Sequence, residues 1–199
     1  MKKIWILFLI FLFITCPVFG CNLTKNQPIT HPDGTIEYNF SKQSQTKASK
    51  ILYKFVLNEL NKTPREAQDF ANITPKTVSA FETDLNGDGK KEIIGVVFST
   101  YYWGTAGYSL FILEEKANNY QNIAYLLNFE PLKEIYILNK KTNKYKDIQF
   151  YGSSAHNFKS FIAKFNKQEY VNIEQIKLFK EYLKDFSGYD VSEITGIKE

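Results

Sequence analysis

Histidine, cysteine and arginine are almost missing from these 199 residues. The histidines are His31 and His156, the cysteines Cys16 and Cys21, and Arg65 is the single arginine. No cluster of Cys and His with zinc-ligand spacing can be built from that set, and a framework of several disulfides is excluded. Bidentate recognition of phosphate or carboxylate, which leans on arginine, is poorly served. Nucleophilic catalysis needs a base, usually His. The one candidate is His156 in Gly152-Ser153-Ser154-Ala155-His156, and that stretch reads more simply as an exposed turn. No Gly-rich sequence has the spacing of a phosphate cradle, and no internal repeat points to a propeller. A formal charge of +4 is too small to argue for nucleic acid. The expectation is a protein that is not an enzyme and has no nucleic-acid partner.

What the chain does carry at its start is a targeting segment. Lys2 and Lys3 precede an unbroken apolar run over residues 4–14, which is short for a membrane span. Val18-Phe19-Gly20-Cys21 follows and resembles a bacterial lipoprotein signal, in which a small residue precedes a cysteine that is acylated; Phe19 is bulkier than usual there. The alternatives are an ordinary secretory signal or an uncleaved anchor. The resemblance implies a signal peptide over residues 1–20, lipid on Cys21 and a membrane partner, since several acyl chains hold stably where one does not. It also implies the cell envelope. Asn22 in place of Asp implies the outer membrane and its periplasmic face if the host is Gram-negative. Cys16 would leave with the signal, and the loss of Lys2 and Lys3 would bring the charge to about +2.

Residues 21–43 are polar and contain Pro28 and a His31-Pro32-Asp33-Gly34 turn. They read as a lipidated tether with at most a small hairpin, and His31 as a solvated residue. Residues 44–199 read as one domain. A helix is expected over 44–62, with Ser44 as its cap and Ala48, Ile51, Leu52, Phe55, Val56 and Leu60 as one apolar stripe. Thr63-Pro64-Arg65-Glu66 opens a second helix to about residue 72. Then the period changes from helical to alternating. Strands are expected over 77–83, 92–100, 109–114, 121–128, 133–138, 147–152, 158–165 and 169–173, and a last helix, capped by Asn172, over 173–186. Short links favour an antiparallel meander. The fold expected is therefore α+β, a meander of about 6–8 strands with N-terminal helices and a C-terminal helix packed on it.

Between the first two strands lies Asp84-Leu85-Asn86-Gly87-Asp88-Gly89-Lys90-Lys91-Glu92. Calcium takes six to eight oxygen ligands, and a loop supplies them at its first, third and fifth positions and from a backbone carbonyl at the seventh. Those positions are Asp84, Asn86, Asp88 and Lys90. Gly89 is sixth, at the sharp bend, and Glu92, ninth, can add a carboxylate. An EF-hand would need Glu at the twelfth position, which is Gly95, and helical flanks. The other reading is a bare Asn-Gly/Asp-Gly turn. A plain hairpin has no use for three carboxylates in nine residues, which repel one another. A structural Ca2+ is expected.

The loop and its following strand, residues 84–97, are similar to the calcium loops of FG-GAP and VCBS-type repeats. Residues 81–171 resemble a widespread, functionally uncharacterised domain of bacterial envelope proteins and lipoproteins. The residues that carry this are Ser109-Leu110-Phe111-Ile112-Leu113-Glu114, Lys144-Tyr145-Lys146-Asp147-Ile148 and the hairpin Ala163–Tyr170. The resemblance implies location and fold and brings no catalytic residues. Where such relatives often have a cysteine pair, this chain has Tyr101-Tyr102-Trp103-Gly104-Thr105-Ala106-Gly107-Tyr108.

Tyr101, Tyr102, Trp103 and Tyr108 form a candidate binding surface, able to stack on a glycan or anchor an envelope protein. The plainer reading has these rings filling the edge of the core. The function expected is a lipid-anchored envelope protein with a binding or adaptor role. The alternative is a cell-wall hydrolase or an inhibitor of one.

Overall fold

The computed structural model describes residues 27–41, 46–62, 72–99, 103–104, 107–124, 128–130, 133–154 and 157–184. Among them are two antiparallel sheets. The first runs in the order β1 (Ile29–Thr30), β2 (Ile36–Asn39), β9 (Glu134–Thr142), β10 (Tyr145–Ser154), β11 (Asn157–Phe165), β12 (Tyr170–Val171). The second has β3 (Val78–Thr83), β4 (Glu92–Val97), β6 (Gly107–Lys116) and β5 (Trp103–Gly104) in that order, with β7 (Asn119–Asn122) and β8 (Asn128–Phe129) also paired to β6. Two helices accompany them, α1 (Lys47–Asn61) and α2 (Ile173–Lys184).

This corrects the expected α+β meander. The fold is essentially all-β, with about half of the described residues in strands and a fifth helical. β3, β4, β6, β9, β10, β11 and β12 overlap expected strands, whereas β1, β2 and β5 fall in none and the expected strand 121–128 meets only the ends of β7 and β8; the strands also divide between two sheets. Only α1 stands among the described residues as an N-terminal helix, and the second expected helix lies outside them.

The division has a physical cause in β4. Residues Ile93–Val97 are apolar without alternation and buried throughout, as a strand covered on both faces must be. Ile94 and Val96 join the larger core, with Tyr38, Phe40, Phe81, Phe129, Ile148 and Phe161, where the sheets meet. Ile93 and Val97 join a second core with Leu52, Val56 and Leu60 of α1. Each such Leu or Val contributes about 1.5–3 kcal/mol by leaving water. Gly95 lets α1 come this close: a Cβ there would stand 2.6 Å from Leu52 Cδ2, Ala80 Cβ and the Ser79 carbonyl.

The helix starts about half a turn later than expected. Thr46, not Ser44, caps it, its hydroxyl accepting the Ser49 amide at 3.0 Å. That hydroxyl also donates to the Ala80 carbonyl on β3 at 2.9 Å, so one side chain sets both the helix end and its seat on the sheet. Asn172 does cap α2, accepting the Gln175 amide at 2.6 Å, and its own amide donates to the Ile162 carbonyl of β11. Ile176 of that helix is buried and Leu178 packs on the larger core, while the side chains of Phe179 and Leu183, and Phe186 altogether, lie outside the described residues.

The expected tether reaches into this body. β2 pairs with β9 through Ile36↔Ile137 and Tyr38↔Ile135, and the rings of Tyr38 and Phe40 are fully buried, Tyr38 stacked 4.2 Å from Phe81. Residues 29–40 are thus an edge of the first sheet. His31, expected to be merely solvated, places its Nε2 3.0 Å from the Glu37 carboxylate, which accepts its N–H across the β1–β2 turn. Among the described residues no helix is long and apolar enough to cross a membrane.

Candidate functional site

The acidic loop joins β3 to β4 in the second sheet and lies against the β9–β10 hairpin of the first. Its shape is made by its own side chains. The Asp84 carboxylate accepts the amides of Gly87 at 2.6 Å and Gly89 at 3.1 Å. Asn86 Oδ1 accepts the Asp88 amide at 2.8 Å, and Asp88 Oδ1 accepts the Lys90 amide at 2.7 Å. These are successive Asx turns. Gly87 and Gly89 both sit at φ +84°, where a Cβ would be strained.

Asp84, Asn86, Asp88 and Lys90 are therefore brought onto one small coil, with Asp88 and Lys90 at the surface and Asp84 and Asn86 half-buried. Glu92 is different, being 2% exposed. It reaches back under the loop, and its Oε2 accepts the Leu85 amide at 2.7 Å. Asn86 Nδ2 bridges the two levels, donating to Asp88 Oδ2 at 3.1 Å and lying 3.4 Å from Glu92 Oε1.

The loop also ties the two sheets together. The buried Leu85 passes its carbonyl to the Lys146 amide of β10 at 2.8 Å. Lys141 Nζ donates to the Asn86 carbonyl at 3.3 Å. Tyr145 lies 3.4 Å from Asn86 Nδ2 through its hydroxyl, which donates to Glu114 on β6 at 2.6 Å.

Charge under the loop is one-sided. Desolvation works to raise the Asp84 pKa, but the amides of Gly87 and Gly89 outweigh it and hold the carboxyl below its ordinary value. Burial pushes Glu92 up to about 7, against the Leu85 amide and aided by the charges of Asp88 and Asp84. Burial, then the bond to Glu114, pushes Tyr145 to about 12. A second buried carboxylate lies close by: Asp147 is 1% exposed, and neither of its oxygens has a hydrogen-bond partner among the described residues. Asp147 and Glu92 both act on the Tyr170 hydroxyl, whose pKa is raised mainly by burial. Neither carboxylate belongs to an ion pair among the described residues.

Sequence reasoning missed Asp147, Tyr145 and Glu114. Strict alternation along β10 would put Asp147 on the outer face with Gln149. A register shift between Lys146 and Ile148 turns it inward instead, and only the pairing with β9 reveals the shift. No three His, Cys, Asp or Glu side chains among the described residues stand close enough together to hold a metal by themselves. The donor set of the loop, however, includes the Asn86 amide oxygen and the Lys90 carbonyl, and calcium takes such mixed oxygen ligands.

Tyr108 is half-buried on β6, edge-on to Phe98 with centroids 5.5 Å apart, as a ring filling the edge of the core would be. Trp103 pairs with Tyr108 across the β5–β6 hairpin, and its side chain, like Tyr101, Tyr102, Cys21 and His156, lies outside the described residues. Comparison of the chain with protein-family models, with curated proteins and with solved structures gives no match in any of the three.

Proposed function

We propose that this is a lipid-anchored, non-enzymatic binding protein of the bacterial envelope, whose β3–β4 loop is a structural calcium clasp between its two sheets. The observation that carries the reading is Glu92. A carboxylate 2% exposed, beneath Asp84 and Asp88 and without a basic partner among the described residues, is costly unless a cation or a proton compensates it. Side-chain oxygens of Asp84, Asn86, Asp88 and Glu92 and the Lys90 carbonyl would hold the ion. Bound there, calcium would neutralise the buried charge and fix the coil that carries the Leu85–Lys146 bridge. Loops of this type in extracellular modules bind with Kd on the order of 10⁻⁴–10⁻³ M, which suits a calcium-rich exterior.

The anchor and the ion are tested separately. Cells fed a labelled fatty acid should label the wild-type chain and not Cys21→Ser, and an unlabelled wild type would remove the anchor. Calorimetric titration of the purified chain at pH 7.5 should give a single calcium site that Asp84→Asn weakens strongly. Heat-silent titration to 10 mM calcium would leave the loop as a turn alone.

A further inference from the structure

A groove runs between α1 and the β6–β7 hairpin, with a volume of about 710 Å³, and none of the loop's proposed calcium ligands lines it. That lies within the range of about 300–1,000 Å³ found for small-molecule sites. It exists because the apolar stripe of α1 is wider than the sheet beneath it. Leu52, Val56 and Leu60 are buried, but Ile51 and Phe55 at the stripe's margin remain only partly covered and line the groove. Tyr120, half-buried on β7, stands at the other wall.

Around these rings the polar groups are of one kind. Asn58 and Asn61 come from the helix, and Asn118 and Asn119 from the hairpin. Asn118 is explained by the turn, since Ala117 and Asn118 take φ of 49° and 66° in the tight link that pairs Lys116 with Asn119. Asn58 has no such reason. It is exposed in the last turn of α1, where Asn is still among the poorer formers, and its side chain makes no hydrogen bond among the described residues. The charges nearly cancel: Lys62 is held by Glu59 at 2.6 Å, and Lys54 has no ion pair among the described residues.

Amides donate and accept without charge, which matches hydroxyls that also do both. Rings offer a face to the C–H side of a pyranose. A polyanion would need several unpaired cations, and a purely apolar ligand would leave the amides unpaired. We propose that this groove binds an oligosaccharide, neutral or carrying one negative charge. The inference rests on the binding role proposed above and gives that role a ligand class, but it does not use the calcium loop.

The test is ligand-observed saturation-transfer NMR and calorimetry on the full chain in detergent, with chitotriose, cellotriose and maltotriose as probes. At least one should bind. Tyr120→Ala and Asn58→Ala should each weaken it about tenfold or more, a loss on the scale of one buried hydrogen bond or ring contact. Asn58→Ala replaces a poor helix former with the best one, so weaker binding at an unchanged or higher Tm cannot be unfolding. Binding that neither variant alters, or no binding to any of the three at 10 mM, would overturn the proposal. Calcium-dependent melting is read on the same samples, so failure of the groove and failure of the clasp are told apart.

Discussion

Replacing Glu92 with Gln should stabilise the protein in chelator at pH 8 and abolish its response to calcium. The carboxyl's pKa rises from an ordinary 4.5 to about 7, chiefly through burial. A raised pKa means the folded state binds the proton more tightly than the unfolded state. Its contribution is therefore most favourable below pH 4.5 and is lost as pH climbs through 7. At about 1.36 kcal/mol per pKa unit, holding Glu92 ionised in the fold costs about 3 kcal/mol at pH 8 without a cation. Gln keeps an oxygen for the Leu85 amide and carries no charge, so it should recover about 2 kcal/mol of that. For a domain of this size the gain is about 4–8 °C in Tm. At pH 5, where the folded carboxyl is already protonated, the variant should melt within about 2 °C of wild type by the same scaling. Differential scanning calorimetry at pH 5 and 8 in chelator gives both numbers. Equal destabilisation at the two pH values would refute the reasoning, because a lost hydrogen bond would then outweigh the buried charge. Asp84 has the opposite sign: its lowered pKa adds stability that is lost as pH falls below 3.8, so the two effects occupy separate windows.

Gly95→Ala should cost about 1–3 kcal/mol in urea unfolding, because the added methyl meets the Ser79 backbone as well as two side chains at 2.6 Å; a neutral result would mean α1 does not sit on β4. Asn172→Ala removes the cap of α2 and its bond to β11 and should cost about 1 kcal/mol or more, and Asn172→Asp should not rescue it, because its second oxygen would face the Ile162 carbonyl in a buried place. An Asn172→Ala variant as stable as wild type would show that α2 is held by packing alone.

Much of the strand layout was legible because alternation is local. β3, β4, β10 and β11 fall within two or three residues of the expected runs, and Asn172 marked the start of α2. The loop was legible for a similar reason, its oxygens recurring at every second residue with glycines at the bends. What depends on distant pairing was not. Residues 29–40 look like a polar linker, and only the partner strand β9 explains why Tyr38 and Phe40 are buried. The inward turn of Asp147 follows from a register shift that no local pattern announces. The two-sheet arrangement had one signal, the unbroken apolar run of β4, which has a sheet on one side and α1 on the other. The groove beside α1 was hidden in the same way, since Ile51 and Phe55 fit the stripe that the sheet was expected to cover.

The most direct test of the calcium clasp is the melting temperature of the full chain at pH 7.5 in 10 mM calcium against chelator, with Asp88→Ala alongside. With Kd on the order of 10⁻³ M, that concentration should stabilise the fold by about 1.4 kcal/mol, a rise of about 3–6 °C. Asp88 is exposed and serves only the loop, so Asp88→Ala should melt near wild type in chelator and show no such rise. Equal melting temperatures for the wild type with and without calcium, or an equal rise in Asp88→Ala, would contradict the account.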